Sequence, residues 1–285
     1  MEHYDILIIG GGAAGIAAAK AAAGATVLLA DRKDALGGVL LQCAHRGFGK
    51  NKTGPEYTDD LLKDFPEHIT LALSTTVLSV SENRTALLSG RTFGRREIHF
   101  SQLILAAGCR EIPVGALPIG GSRPKGIYTA GQMQELMNLH GFLPEGPVVI
   151  LGSGDLGLIM ACQIAKAGLT VTMVEKKDSC GGMAKNQQHL QQFPVEVLCG
   201  DTLSEIHGYP HITGCTTEKG VYLPCRTLLV AVGLRPEQEL IAPLGAPDWL
   251  HICGNCSKVH PMVEAVINEG KLAGKAATEN LRGAI

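Results

Sequence analysis

Two glycine-rich turns, far apart in the chain, constrain the fold more than any other feature of the sequence. The first, Gly10-Gly11-Gly12-Ala13-Ala14-Gly15, follows the apolar run Ile6–Ile9; the second, Gly152-Ser153-Gly154-Asp155-Leu156-Gly157, follows Val148–Leu151. Each turn therefore stands between a predicted strand and a predicted helix. In that setting one glycine forms the tight turn, one lets the backbone approach a pyrophosphate, and one lets the helix pack closely on its strand. The helix N-terminus then offers N–H groups to phosphates, so the sequence predicts two dinucleotide sites.

Each glycine-rich turn is followed by a second predicted strand that ends in an acidic residue. The run Val27–Ala30 leads to Asp31, and Val171–Val174 leads to Glu175. A carboxylate at this distance typically accepts hydrogen bonds from the ribose of a dinucleotide. A solvated acid at a strand end is the alternative for either residue alone, but the matched placement of the two favours the ribose role.

The composition is typical of a compact globular protein. The chain has 285 residues, of which 45% are hydrophobic and 18% charged, with a formal net charge of −2. That length suffices for one large or two ordinary domains, and that charge gives no general attraction to nucleic acid or to an anionic membrane. The apolar segment 10–30 is interrupted by Lys20 and several glycines, so we expect neither a signal peptide nor a membrane anchor. Nine cysteines, an odd number, predict reduced thiols in a cytoplasmic protein.

The order of predicted elements indicates one nucleotide domain interrupted by another. Further predicted strands cover residues 69–80, 97–105 and 227–232, and predicted helices cover 13–23, 130–138 and 261–281. A glycine- and proline-rich stretch, 112–121, leaves the first domain, and a second one, 243–247, returns to it. The remaining C-terminal residues are too few to fold alone. We therefore expect residues 1–112 and 247–285 to form one discontinuous domain and residues 113–246 to form an inserted one.

Four further short motifs accompany the two glycine-rich turns. They are Asp31-Arg32 with Leu36-Gly37-Gly38, Leu103-Ile104-Leu105-Ala106-Ala107-Gly108, Leu229-Val230-Ala231-Val232-Gly233-Leu234-Arg235-Pro236, and Ile252-Cys253-Gly254-Asn255. Together with the turns they resemble the two-dinucleotide-binding flavoproteins of the pyridine nucleotide-disulfide oxidoreductase superfamily, along nearly the whole chain. Two positions depart from the family pattern: Ala107 replaces a threonine, and Asn255 replaces the aspartate that holds the FAD ribityl chain. An amide still bonds a hydroxyl, without the charge assistance of a carboxylate.

The resemblance implies an α/β protein with two Rossmann-like domains, an NAD(P)-binding domain inserted in an FAD-binding domain, at thioredoxin reductase-like size. It implies an FAD-dependent oxidoreductase that transfers a hydride between NAD(H) and the flavin. The cofactor-binding residues it implies are Gly10, Gly12, Ala13, Ala14, Gly15, Asp31, Arg32, Gly37, Gly38, Gln42, Val77, Ala107, Gly108, Gly254, Asn255 and Met262 for FAD, and Gly152, Gly154, Asp155, Gly157, Glu175 and Gly233 for the nicotinamide dinucleotide. Because Glu175 would repel a 2′-phosphate, with Lys176 and Lys177 only partly offsetting it, NADH is expected over NADPH.

Three segments resemble a narrower subgroup, found beside glycerol-3-phosphate dehydrogenase-like and opine or amino-acid dehydrogenase-like partners. They are 37–49, 53–57 and 253–260. The subgroup implies that electrons pass to a substrate or to a partner dehydrogenase subunit. A homo-oligomer is also compatible with the resemblance, and the chain is short for the subgroup.

Neither dithiol that is standard in the superfamily occurs here. Leu40 and His45 stand where glutathione reductase-like enzymes have cysteines, and residues 115–246 hold no C-x-x-C pair. The only such pair, Cys253 and Cys256, overlaps the ribityl motif, which favours a buried strand cysteine and its neighbour over a redox pair. A thiol-disulfide reductase using this pair, or a non-catalytic electron-relay subunit, remains the alternative. No second pair is spaced for zinc, so no metal is expected.

Three residues are candidates for catalysis. Cys43 and His45 follow the Gly37-Gly38 turn, from which the chain should run along FAD towards its ring. Alternate residues do not share one face of a regular helix, so a role facing the flavin and a packed cysteine with a satisfied histidine both stay open. The third candidate, His260, precedes the last helix, and we expect it to line the flavin.

Overall fold

The computed structural model describes residues 2–283 and separates them into two units. The first unit combines the chain up to Arg110 with the chain from Arg235 onward, and the second is Glu111–Leu234. The sequence analysis placed these boundaries after residues 112 and 246. The segment 235–246 lies in the first unit, where Ile241 is buried in the core with Trp249 and Arg110 forms ion pairs with the carboxylates of Glu237 and Glu239.

The secondary structure alternates strands and helices in the manner of nucleotide-binding folds. In chain order the elements are β1 (Glu2–Ile9), α1 (Ala13–Ala21), β2 (Val27–Ala30), α2 (Gly54–Leu62), β3 (Thr70–Ala72), β4 (Thr75–Val80), β5 (Thr85–Gly90), β6 (Gly94–Leu105), β7 (Cys109–Glu111), β8 (Gly120–Gly121), β9 (Ile127–Thr129), α3 (Ala130–His140), β10 (Val148–Leu151), α4 (Asp155–Lys166), β11 (Val171–Glu175), α5 (Ala184–Leu190), β12 (Val195–Cys199), β13 (Leu203–His207), β14 (Gly214–Thr217), β15 (Tyr222–Pro224), β16 (Thr227–Val230), β17 (Leu234–Pro236), β18 (Leu250–Ile252) and α6 (Val263–Gly283). Within residues 2–283, no helix has both the length and the apolar content to span a bilayer.

The predicted strand over 69–80 is instead two strands, β3 and β4. Ser74 between them adopts a left-handed conformation with φ +49°, which breaks the extended chain. Strand β5 was not predicted, and it pairs antiparallel with β4 and with the first half of β6. The other predicted strands and helices form, with ends that agree or shift by up to four residues.

The sheet of the first unit has the order β3-β2-β1-β6-β5-β4, with β18 also paired to β6. Its parallel part consists of β3, β2, β1, β6 and β18. Alternation along β1 buries Ile6 and Ile8 against α1 and α6 on one face, and Leu7 and Ile9 on the other face with Trp249. Because β1 and β2 are parallel, their carboxyl ends lie side by side at one edge of the sheet, where open α/β sheets bind ligands.

Helix α6 packs on α1 at unusually short range. A Cβ on Gly270 would lie 2.2 Å from the Ala14 carbonyl oxygen, and one on Gly274 would lie 2.3 Å from that of Ala18. Glycine on one helix and alanine on the other allow this approach, since any larger side chain would meet backbone. The crossing brings the first half of α6 to the start of α1, beside the first glycine-rich turn.

The second unit carries a five-stranded parallel sheet and a smaller four-stranded sheet. The parallel sheet has the order β12-β11-β10-β16-β9, and the smaller one has the order β15-β14-β13-β8. One face of the parallel sheet packs on α3 and α4 through residues that include Met133, Met160 and Ile164. The other face packs on the smaller sheet through Val149 and Ile206, among others. As in the first unit, a glycine-rich turn joins the central strand to its helix.

Candidate functional site

Two glycines of the first glycine-rich turn are required by packing within the protein. Gly10 has φ +106°, and a Cβ there would lie 2.4 Å from the carbonyl oxygen of Ala106 at the end of β6. A Cβ on Gly15 would lie 1.8 Å from the Gly10 carbonyl oxygen. These contacts bring the turn against the neighbouring strand end and bring α1 against the turn, as the sequence predicted.

The middle glycine, Gly12, faces open space instead. It is the N-cap of α1 with φ −75° and has no side-chain capping bond, and nothing lies within 4 Å of the position of a Cβ. The first N–H groups of a helix have no partner within the helix, so those of Ala13 and Ala14 point to this space. Backbone donors, the helix dipole and the missing Cβ together make a cradle that fits a phosphate group.

Asp31 holds the shape of this turn through its carboxylate. Its Oδ2 atom accepts a 2.5 Å hydrogen bond from the Gly11 N–H, and its Oδ1 atom accepts one of 2.7 Å from the Lys33 N–H. A carboxylate oxygen accepts more than one hydrogen bond, so these contacts leave acceptor capacity for a ribose hydroxyl. The next residue, Arg32, is exposed.

The Gly37-Gly38 turn lies directly on the first glycine-rich turn. The Gly37 N–H donates to the Gly11 carbonyl at 2.8 Å, and a Cβ on Gly38 would lie 3.0 Å from the Gly12 Cα. Both residues have positive φ, +124° and +57°. Only glycine suits this close approach, so the two turns form one backbone surface around the cradle.

The second unit repeats the same geometry at its own turn. Gly152 has φ +100° and a Cβ position 2.5 Å from the Ala231 carbonyl oxygen, and a Cβ on Gly157 would lie 2.4 Å from the Gly152 carbonyl oxygen. Gly154, the N-cap of α4, again has no side-chain capping bond and nothing within 4 Å of its Cβ position. The chain thus carries two open cradles of the same construction.

Glu175 occupies the place of Asp31 in the second unit. Its Oε2 atom accepts hydrogen bonds from the Ser153 N–H at 2.8 Å and from the Ser153 hydroxyl at 2.6 Å, and Oε1 accepts one of 2.9 Å from the Lys177 N–H. Burial raises the pKa of Glu175, but the hydrogen bonds from Ser153 and Lys177 outweigh it, so that the pKa lies below its usual value. The carboxylate therefore stays charged beside the cradle at neutral pH.

A second glycine pair in the second unit escaped the sequence analysis. The Gly181 N–H donates to the Ser153 hydroxyl at 2.7 Å, and a Cβ on Gly182, at φ +73°, would lie 3.1 Å from the Asp155 nitrogen. The Asp155 carboxylate turns to this loop and accepts the Met183 N–H at 2.7 Å. The signal was an internal repeat: Asp-Arg-Lys-Asp-Ala-Leu-Gly-Gly at 31–38 matches Glu-Lys-Lys-Asp-Ser-Cys-Gly-Gly at 175–182.

The late motif after β18 meets the end of β6. Gly254, at φ +69°, has a Cβ position 2.8 Å from the Ala14 Cβ, so this motif lies beside the first turn of α1. The Gly108 N–H donates to the Cys256 Sγ at 2.8 Å, and Ala107 is exposed at the strand end. The motif assigned to the FAD ribityl chain is thus adjacent to the first cradle.

His260 pairs with an acid that the sequence analysis missed. Its Nε2 atom lies 2.8 Å from Oε1 of Glu269 on α6, and its backbone N–H donates to Asn255 Oδ1 at 3.0 Å. The other Glu269 oxygen accepts the Gly254 N–H at 2.8 Å. A Glu fifteen residues beyond Gly254 carries no motif signal, so only the packing of α6 reveals it.

The segment after Gly37-Gly38 is a short 3₁₀ helix that ends at Gln42, so Cys43 and His45 do not share a regular helix. Gln42 is buried, and Cys43 is 8% exposed, with its Sγ donating to the Val39 carbonyl at 3.3 Å. Burial raises the pKa of Cys43 to about 12, which favours the packing interpretation of this thiol. The half-buried His45 ring lies 5.2 Å from the Phe48 ring.

Cys253 and Cys256 lie on opposite faces of the first sheet. Cys253 belongs to the core that contains α1 and α6, whereas Cys256 packs with Trp249 and Phe100 on the other face. Both are free thiols, and burial raises the pKa of each to about 12. Thiolate chemistry at neutral pH is disfavoured at both positions.

The remaining assigned residues lie at element ends or on the sheet. Val77 is on β4, packed against the core that contains Trp249, and Met262, 45% exposed, precedes α6. Gly233, at φ +151°, follows β16 in the second unit. Among residues 2–283, no group of three or more His, Cys, Asp or Glu side chains is placed to hold a metal ion.

Two curated proteins are similar to this chain in sequence. Hydrogen cyanide synthase subunit HcnB of Pseudomonas protegens is 32% identical over 203 residues, which are 68% of this chain and 43% of that protein. An opine oxidase subunit of Agrobacterium tumefaciens is 32% identical over 182 residues, 59% of this chain and 36% of that protein. The chain thus spans less than half the length of these curated relatives.

The fold has a close match among solved structures. The thioredoxin reductase of T. acidophilum superposes with a TM-score of 0.81 at 18% identity, covering 99% of this chain and 100% of that one. A family model described as pyridine nucleotide-disulphide oxidoreductase matches residues 4–248, most of the chain. The α/β fold with its two Rossmann-like units agrees with this match, and the chain belongs to the pyridine nucleotide-disulphide oxidoreductase family.

Proposed function

We propose that the protein is an FAD-dependent oxidoreductase that exchanges a hydride with NAD(H), binding FAD in the first unit and the nicotinamide dinucleotide in the second. The observation that carries this proposal is the pair of open cradles at Gly12 and Gly154. Each cradle joins an uncapped helix N-terminus to an acid at the end of the next strand. A helix N-terminus binds the negative charge of a pyrophosphate, and the acid accepts hydrogen bonds from ribose hydroxyl groups.

In the first unit, the N–H groups at the start of α1 and the Gly37-Gly38 backbone would hold the FAD pyrophosphate. Asp31 would accept the adenosine ribose hydroxyls, and Asn255 would meet the ribityl chain. When bound, the flavin supplies the hydride-accepting chemistry, and the protein orients and tunes it. Val39 and Met262 are apolar side chains near these turns that are 61% and 45% exposed, as expected of residues that a cofactor would cover.

In the second unit, the start of α4 and the Gly181-Gly182 turn would hold the nicotinamide dinucleotide. Glu175 would accept a hydrogen bond from a free 2′-hydroxyl and repel a 2′-phosphate, which favours NADH. Exposed Lys176 and Lys177 partly offset that repulsion.

The electron acceptor on this proposal is a substrate or a partner dehydrogenase subunit. HcnB and the opine oxidase relative are, by their names, subunits of larger enzymes. A thiol-disulfide reductase using Cys253 and Cys256 is disfavoured because the two thiols are buried on opposite faces of a sheet. Slow oxidation of NADH by the protein alone, with faster oxidation when a dehydrogenase partner is added, would distinguish an electron-relay subunit from a self-sufficient enzyme.

The test is the visible spectrum of the purified protein before and after anaerobic addition of NADH. A yellow protein that bleaches on addition supports the proposal. Protein that remains colourless after incubation with excess FAD defeats it. Flavin that binds but is not reduced by either NADH or NADPH would restrict the proposal to flavin binding.

A further inference from the structure

A single carboxylate on α6 connects both ends of the loop that carries the ribityl motif. Glu269 Oε2 accepts the Gly254 N–H at 2.8 Å, and Glu269 Oε1 lies 2.8 Å from Nε2 of His260. Within the loop, the His260 N–H donates to Asn255 Oδ1 at 3.0 Å. Both ends of the loop thus contact one acid, and the end at His260 also binds the Asn255 side chain.

Packing fixes the position of that acid. The next residue on α6, Gly270, has a Cβ position 2.2 Å from the Ala14 carbonyl oxygen, so the backbones of α6 and α1 pack directly against each other beside Glu269. The side chains of Glu269 and His260 are 31% and 16% exposed. Hydrogen bonds to a carboxylate in such partly shielded surroundings are shorter and stronger than neutral ones.

The hydrogen bond from the His260 N–H determines which group Asn255 offers to a ligand. A backbone N–H only donates, so the Asn255 atom that meets the His260 N–H is the carbonyl oxygen. The Asn255 amide nitrogen is then the end that remains to donate to a hydroxyl oxygen. A family aspartate at this position would instead accept, so the substitution reverses the direction of this hydrogen bond.

We propose that Glu269 is a positioning residue for the flavin: by binding the Gly254 N–H and the His260 ring together, it holds Asn255 with its amide N–H groups directed to the ribityl chain. This rests on the proposed binding of FAD in the first unit. Glu269 touches no reacting atom, and it acts through the loop 254–260.

The hydrogen bond between Glu269 and the His260 ring also determines which ring nitrogen carries a proton. A carboxylate only accepts hydrogen bonds, so Nε2 of His260 must carry a proton, whether the ring is neutral or charged. A glutamine at 269 has one oxygen and one NH₂ group. If its oxygen keeps the Gly254 N–H, its NH₂ group faces Nε2, which must then accept, and the proton of a neutral ring moves to Nδ1.

The experiment compares Glu269→Gln with a matched control, Glu279→Gln, which removes an exposed carboxylate from the same helix. Apoprotein of each is titrated with FAD, and the His260 ring nitrogens are followed by NMR in the apoprotein. We expect Glu269→Gln to weaken FAD binding by about tenfold or more and to change the His260 tautomer, since it replaces hydrogen bonds to a charged group with weaker ones to a neutral amide. Glu279→Gln should change neither property.

A second variant, His260→Gln, tests the bridge by a separate route. We expect it to weaken FAD binding too, and the double variant to bind FAD no more weakly than Glu269→Gln alone, because both residues act through one loop. An unchanged His260 tautomer in Glu269→Gln, or FAD binding equal to that of the wild type in either single variant, overturns the positioning role while leaving the proposed function intact. A wild-type protein that binds no FAD overturns the proposed function and the flavin assignment together.

Discussion

Ser153 donates two hydrogen bonds to the same oxygen of Glu175, from its backbone N–H at 2.8 Å and from its hydroxyl at 2.6 Å. Glu175, which the sequence analysis assigned only to a ribose, therefore also fixes the backbone of the second glycine-rich turn. Asp31 does the same for Gly11 in the first unit. The acids link the central strand to the next one, so a loss of either acid should alter the turn as well as the ligand.

Ser153→Ala should destabilise the protein in a pH-dependent manner. Alanine keeps the backbone N–H bond to Glu175 but removes the bond from the Ser153 hydroxyl, which helps to hold the pKa of Glu175 below the ordinary 4.5. The stability that this bond provides is present above that pH and is lost as the pH falls through the folded-state pKa. At neutral pH we expect a loss of about 1.5 kcal/mol. Urea unfolding at neutral pH and at about pH 3 measures the difference, which should shrink at the lower pH.

The control for this prediction is Ser179→Ala, which changes an exposed serine in the loop that follows Glu175 and should leave stability unchanged at both pH values. A Ser153→Ala variant whose loss of stability is the same at both pH values would refute the coupling to Glu175.

Gly12→Val and Gly15→Val should fail in different ways. A side chain at Gly12 meets open space, so Gly12→Val should purify without flavin and fold with a Tm near that of the wild-type apoprotein. A side chain at Gly15 meets the Gly10 carbonyl, so Gly15→Val should lose about 1–3 kcal/mol or more of stability. Thermal unfolding and the ratio of visible to ultraviolet absorbance distinguish the two. Gly12→Val protein with a full complement of flavin would show that the cradle does not bind a pyrophosphate.

The coenzyme preference should be for NADH over NADPH and should depend on Glu175. Glu175→Gln removes the charge that repels a 2′-phosphate. The kcat/KM for NADH divided by that for NADPH should therefore fall, by about tenfold for each 1.4 kcal/mol of repulsion lost. Asp178→Asn, an exposed acid in the same loop, serves as control. A wild-type preference for NADPH, or equal efficiencies, would contradict the prediction.

Anaerobic reductive titration should end at two electrons per flavin. Cys253 and Cys256 are buried on opposite faces of the sheet, and burial raises the pKa of both to about 12, so they should not form a redox couple with the flavin. Cys256→Ser should leave the end point unchanged. Uptake of four electrons by the wild type, reduced to two in Cys256→Ser, would instead identify a disulfide reductase.

Much of the fold and of the cradles could be predicted from local sequence because turns and strand ends are encoded at short range. The spacing of Gly10, Gly12 and Gly15 predicts a strand, a turn and a helix in succession. In the structure, a side chain at Gly10 or Gly15 would meet backbone, whereas Gly12 faces the open cradle. The repeat of 31–38 at 175–182 was equally readable and would have revealed Gly181 and Gly182.

The sequence by itself determined the two glycine-rich turns with their open cradles, the acids that follow them and the family to which the chain belongs. Tertiary structure alone decided that Cys253 and Cys256 face opposite cores, that the chain re-enters the first unit at Arg235, and that Glu269 binds Gly254 and His260. The physical reason is that these contacts follow from how separate elements pack. The position of Glu269 depends on the glycine contacts between α6 and α1, whose partners lie near opposite ends of the chain and leave no local pattern.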